Sequence, residues 1–172
     1  MPFPQSIPEY QKQTGIYKGD RALYRQHLRA AYHAFLKQPL LDSTRMAAIG
    51  YCFGGTGVIE MARDGLPLKG VVGFHGGLDA QPLSRGATIK AKVLALCGAD
   101  DPYEKPADMA AFEQQLRENN VDYQIVSYGH AVHAFTDKGV DVLNQPGAKY
   151  NAAADQRSWQ AMRYFFMEIF GS

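Results

Sequence analysis

The chain has 172 residues, 46% of them hydrophobic and 20% charged, with a net charge of +1. These values fit one globular domain with a sizeable core and give no sign of disorder or of a coiled coil. Without a basic block, nucleic acid is not an expected partner, and no apolar run reaches the roughly 18 residues that span a membrane. The segment Met1-Pro2-Phe3-Pro4-Gln5-Ser6 lacks a charged-then-apolar signal pattern. Cys52 and Cys97 form neither a disulfide framework nor a metal-ligand spacing, so no metal or other cofactor is expected. A reducing cytoplasm suits such a chain.

In chain order, residues 1–19 carry Pro2, Pro4, Pro8, Gly15 and Gly19 with little periodicity, and read as an extended N-terminal arm. Residues 20–172 read as the folded domain. Asp20 is placed to cap a helix over 21–37, with Tyr24, Leu28, Ala31 and Phe35 on one apolar face. His27 and His33 lie off that stripe and read as surface residues. Short strands are expected at 46–51, 69–74, 91–97 and 121–128. Helices are expected at 54–64, 106–119 and 152–170, the last with Trp159, Met162, Phe166 and Phe170 as a core stripe. The long connection 129–150 signals function more than packing. Strands alternating with helices predict an α/β fold: a mostly parallel sheet of about four strands flanked by helices, with its site at the carboxyl ends of the strands.

Around the first strand the chain reads Ile49-Gly50-Tyr51-Cys52-Phe53-Gly54-Gly55. Gly50-x-Cys52-x-Gly54 is the nucleophile-elbow pattern with sulfur in place of a hydroxyl. At such a turn the neighbours two residues before and two after are expected to be small. The helix that follows aims its positive end at the sulfur. Acidic groups, Asp100 and Asp101, follow the third strand, and His130 and His133 follow the fourth. Nucleophile, acid and histidine in that order suit thiol attack on a carbonyl. The spacing alone does not choose between the two aspartates or the two histidines. His75, after the second strand, reads as a structural loop residue near the site.

These pieces, together with Phe74-His75-Gly76-Gly77, Gly98-Ala99-Asp100-Asp101-Pro102, Val132-His133-Ala134-Phe135-Thr136 and the segment from Tyr150 through Trp159, resemble the dienelactone hydrolase family of the α/β-hydrolase superfamily. The resemblance covers about residues 15–170. It implies Cys52 as nucleophile, Asp101 as acid, His133 as the histidine and the Phe53 N–H as an oxyanion-hole donor. It further implies cleavage of a small-molecule carboxylic ester or lactone through a cysteine thioester. Family members carry further strands before the helix near Asp20, among them the loop with the second oxyanion donor. The resemblance therefore implies an N-terminally truncated member, and the alternative reading is an impaired chain with a structural or oligomeric role. The elbow strand would then lie at an open sheet edge, inviting a homo-oligomer. Dienelactone-cleaving members place an arginine just after the histidine. Phe135-Thr136-Asp137 stands there instead, which disfavours an anionic dienelactone as substrate.

Overall fold

The computed structural model describes residues 6–171. The chain divides into two compact units after Leu41.

The first unit is helical. Residues 7–19, expected as an extended arm, form helix α1 (Ile7–Gly19); the first five residues of that expectation lie outside the described residues. The Ser6 side chain caps α1 by accepting from the Glu9 N–H at 3.4 Å, and Pro8 falls in the first turn, where a missing N–H costs nothing. None of its residues is buried. With no buried face to impose a 3.6-residue repeat, the helix leaves no periodic signal, and Gly15 reads as a breaker although it sits inside the helix. Asp20 ends α1 and starts α2 (Arg21–Phe35), its carboxylate accepting from the Leu23 N–H at 2.9 Å. The buried residues of α2 are Tyr24, Arg25 and Tyr32, whereas Phe35 is exposed. The expected stripe is therefore displaced toward Tyr32. His27 and His33 are exposed, as expected.

The second unit is the α/β body. Its sheet has four parallel strands in the order β1 (Ala47–Tyr51), β2 (Gly70–Phe74), β3 (Lys92–Gly98) and β4 (Tyr123–Tyr128). Helix α3 (Phe53–Arg63) connects β1 to β2 and α4 (Pro106–Glu118) connects β3 to β4, residues 75–91 join β2 to β3 without a helix, and α5 (Ala152–Phe170) closes the unit. Every residue of β2 is buried, which explains a strand that reads as a continuous apolar run. Val72, Phe74, Leu94, Leu96, Phe135, Met162 and Phe165 belong to one core cluster. Within α5 the buried positions are Ala154, Ser158, Met162 and Phe165. Trp159, expected in the core stripe, is half exposed.

Among the described residues no strand pairs with β1 on its outer side, and the β1 side chains Ile49 and Tyr51 are partly open to solvent. No helix among them is long and apolar enough to cross a membrane.

Candidate active site

The carboxyl ends of the four parallel strands share one edge of the sheet. The β1–β2 register pairs Tyr51 with Phe74, so their successors Cys52 and His75 emerge at the same level. Asp101 follows β3 by three residues, and His133 lies in the loop after β4.

Cys52 sits at the junction of β1 and α3 with φ 50° and ψ −119°, a strained conformation for a residue with a side chain. Close packing holds it there. A Cβ on Gly50 would stand 2.0 Å from the Gly54 carbonyl oxygen. A Cβ on Gly76 would meet the Gly55 carbonyl carbon and the Thr56 nitrogen at 2.6 Å. A Cβ on Gly54 would meet nothing within 4 Å. The need for a small residue two positions after the cysteine is thus not met at Gly54 itself: the crowding falls on Gly50, Gly55 and Gly76, where backbones touch. Phe53 opens α3, so its N–H belongs to the helix N-terminus beside the sulfur.

The two pairs left open by spacing separate cleanly. Asp101 is buried, and its Oδ2 accepts from His133 Nδ1 at 2.9 Å, while its Oδ1 accepts from the Tyr103 N–H at 2.8 Å. Asp100 and His130 instead face solvent, 4.0 Å from each other. With Nδ1–H committed to Asp101, His133 presents Nε2 toward the cysteine. Burial pulls the His133 pKa down, but hydrogen bonds with Asp101 and Cys52 outweigh it and raise the value to about 9.

His75, read from sequence as a structural loop residue, is part of this cluster. It is buried, with φ 39°. Its Nδ1 lies 3.3 Å from Cys52 Sγ and accepts from the Cys52 N–H at 3.2 Å. That N–H also donates to the Phe74 carbonyl at 3.0 Å. An accepting Nδ1 fixes the other tautomer, so Nε2–H donates to Thr136 Oγ1 at 2.9 Å. Burial, reinforced by the charge of His133, pushes the His75 pKa down to about 4, so the ring is neutral at ordinary pH. Cys52 Sγ and one nitrogen from each of His75 and His133 all lie within 4.8 Å of one another.

Above the sulfur is an open cavity of about 440 Å³. Tyr51, stacked on Phe74 with centroids 4.5 Å apart, and Trp159 give it aromatic walls; Asp137 and Asp155 give it acidic ones. Tyr150 donates to Asp155 Oδ2 at 3.1 Å. The second cysteine, Cys97, is buried in β3, and burial, with Glu104 and Asp101 adding to it, pushes its thiol up to about 12.

A residue on a strained strand-to-helix elbow, at the carboxyl edge of a parallel sheet, defines the architecture of an α/β-hydrolase. The family comparison is specific: residues 9–170 match the model of the dienelactone hydrolase family, and the chain belongs to that family of hydrolases. It is similar to an uncharacterized protein of Caenorhabditis elegans, 32% identical over 149 residues, covering 83% of this chain and 92% of the worm protein. A provisionally named carboxymethylenebutenolidase of Escherichia coli is 28% identical over 138 residues; the match covers 76% of this chain but only 48% of that protein. Among solved structures, a dienelactone hydrolase-like promiscuous phosphotriesterase from metagenomic libraries superposes with a TM-score of 0.91 at 40% identity. That superposition covers 95% of this chain and 69% of the other.

Proposed function

We propose that the chain cleaves a carboxylic ester or lactone through a thioester on Cys52. The observation that carries this reading is the line from Asp101 through His133 to Cys52 at the base of a cavity. The Cys52 thiolate attacks the acyl carbon; a C–S bond forms and the carbonyl π pair moves onto oxygen. The Phe53 N–H at the start of α3 donates to that oxyanion. On collapse the C–O bond breaks, and His133 gives its proton to the departing oxygen. Water then attacks the thioester, losing its proton to His133. The C–S bond breaks, releasing the acid and restoring the thiolate. Asp101 holds the His133 tautomer throughout.

This mechanism has a pH signature. His133, raised above its ordinary value of 6.5 to about 9, keeps its proton through neutrality and loses it as pH rises through about 9. The proton donor to the leaving oxygen then disappears, so kcat/KM is expected to fall along an alkaline limb near that pH. Asp101→Asn removes the carboxylate that raises the value, so it should move the limb to lower pH as well as slow turnover. An alkaline limb that ignores Asp101→Asn refutes the assigned proton donor.

The cavity supports a substrate class. Asp137 and Asp155 repel an anionic acyl or leaving group, while Tyr51 and Trp159 suit an apolar or aromatic one. Neutral aryl esters are expected to be better substrates than otherwise matched esters bearing a carboxylate, and Asp137→Ala should narrow the gap. A chain that turns over only the anionic ester, or neither, contradicts the proposal. The similarity to a promiscuous phosphotriesterase adds neutral phosphotriesters to the panel, since such a centre also presents an electrophile to sulfur.

The open edge of β1, with Ile49 and Tyr51 exposed, supports pairing between two copies. Sedimentation should show a dimer that Ile49→Lys weakens; a monomer at high concentration defeats this part. A reducing cytoplasm is the compartment in which a thiol nucleophile persists.

A further inference from the structure

We propose that Cys52, His75 and His133 form a binding site for a thiophilic divalent cation of the zinc type, and that occupancy reversibly blocks the nucleophile. The ligand set and its surroundings support the site by geometry; its consequence for turnover rests on the hydrolase reading above.

The donors are one sulfur and two imidazole nitrogens, the mixture that zinc favours and magnesium or calcium does not. Tetrahedral coordination, with Zn–S of about 2.3 Å and Zn–N of about 2.0–2.1 Å, sets ligand atoms roughly 3.4–3.6 Å apart. Sγ and His75 Nδ1 already stand 3.3 Å apart, and all three donor atoms lie within 4.8 Å of one another. A side-chain adjustment of about an ångström closes the triangle around an ion. The fourth position faces the open cavity, where water can occupy it.

The surroundings are arranged as an outer shell requires. A ligating imidazole needs its far N–H held by an acceptor, which fixes the tautomer and turns the lone pair inward. His133 has Asp101 in that position at 2.9 Å, and His75 has Thr136 Oγ1 at 2.9 Å. His75 Nδ1 does accept from the Cys52 N–H, but that N–H also has the Phe74 carbonyl, so a metal on Nδ1 leaves no buried donor orphaned. The three ligands come from turns after three different strands. Their positions at 52, 75 and 133 therefore have no local spacing motif.

Coordination would commit the sulfur lone pair that attacks the acyl carbon and the His133 nitrogen that moves the proton. No redox chemistry is involved: the proton shared by the Cys52–His133 pair, held on His133 at neutral pH, passes to buffer as the metal–sulfur and metal–nitrogen bonds form.

Cobalt tests the site independently of activity. Titration of the reduced protein with Co2+ should give a thiolate-to-cobalt charge-transfer band and the visible bands of a tetrahedral ion, both abolished by Zn2+ competition. Cys52→Ser should lose the charge-transfer band. His75→Ala, or His75→Gln if the alanine variant does not fold, should weaken Zn2+ binding by at least about tenfold, and Asp101→Asn by about 10–100-fold. In wild-type protein, Zn2+ should inhibit aryl-ester turnover and a chelator should restore it, with Mg2+ inert. Cobalt bands that survive Cys52→Ser, or affinity unchanged by either His75 variant, overturn the site. Cobalt bands in a protein without ester turnover would keep the site and fail the hydrolase reading instead. Turnover that depends on Cys52 but ignores Zn2+ would fail the inhibition.

Discussion

Cys52→Ala is expected to lower kcat on an activated aryl ester by about 10⁶-fold, the scale seen when a hydrolase nucleophile is removed. The size follows from what one atom does here. Sγ is the group that forms the acyl bond, and without it there is no tetrahedral adduct whose departing oxygen His133 can protonate. What remains is cavity binding and the helix-end donor, which stabilise an oxyanion but cannot split the reaction into two easier steps. The competing reading, a family member without activity, predicts equal background rates for wild type and variant. Alkylation gives a second readout. Iodoacetamide should label wild type once, at Cys52. Cys97 is buried, with its thiol pushed up to about 12, and should stay unmodified. Labelling that persists at full rate in Cys52→Ala would place the reactive thiol in β3 and remove Cys52 from the mechanism.

What the sequence discloses of this site depends on where each side chain stands. Cys52 is legible because an elbow is a local event: a strand, a tight turn and a helix start within seven residues. Asp101 and His133 are legible only as a choice among neighbours, since the turns after β3 and β4 each offer two groups. Burial makes the choice, turning Asp101 inward onto His133 while Asp100 and His130 face water. His75 is opaque for a different reason. A histidine before two glycines looks like any loop residue until the register Tyr51↔Phe74 sets it level with Cys52. Trp159 is misread as core because a helical stripe gives an angle around the axis, not what faces that angle; here it faces the cavity. Helix α1 escapes altogether, since a helix with no buried residue leaves no apolar repeat to find.

Gly50→Ala is expected to be among the most destabilising single-methyl substitutions in the α/β body. The added Cβ would lie 2.0 Å from the Gly54 carbonyl oxygen, 2.3 Å from its carbon and 2.8 Å from the Gly55 nitrogen. These are backbone atoms of the first turn of α3, so no rotamer change relieves the clash. Either β1 leaves its pairing with β2, or α3 moves off the sheet, where a Cβ on Gly55 would already crowd the Gly76 Cα at 2.9 Å. Overpacking costs about 1–3 kcal/mol where side chains can yield, so at least about 3 kcal/mol is expected here. That is a large share of a typical stability of about 5–15 kcal/mol. For a chain of this size it lowers Tm by roughly 6–12 °C or more. Any protein that still folds should hold Cys52 away from His75 and His133 and alkylate more slowly or lose turnover. Gly54→Ala is the matched control. Its Cβ would meet nothing within 4 Å, and alanine suits a helix better than glycine by about 0.5–1 kcal/mol. The two variants differ only in where one methyl is placed, four residues apart. Gly54→Ala should therefore unfold at or above the wild-type temperature while Gly50→Ala unfolds far below it. Equal melting of the two would mean that the elbow is not held by this backbone contact, and that the strained Cys52 conformation has another cause.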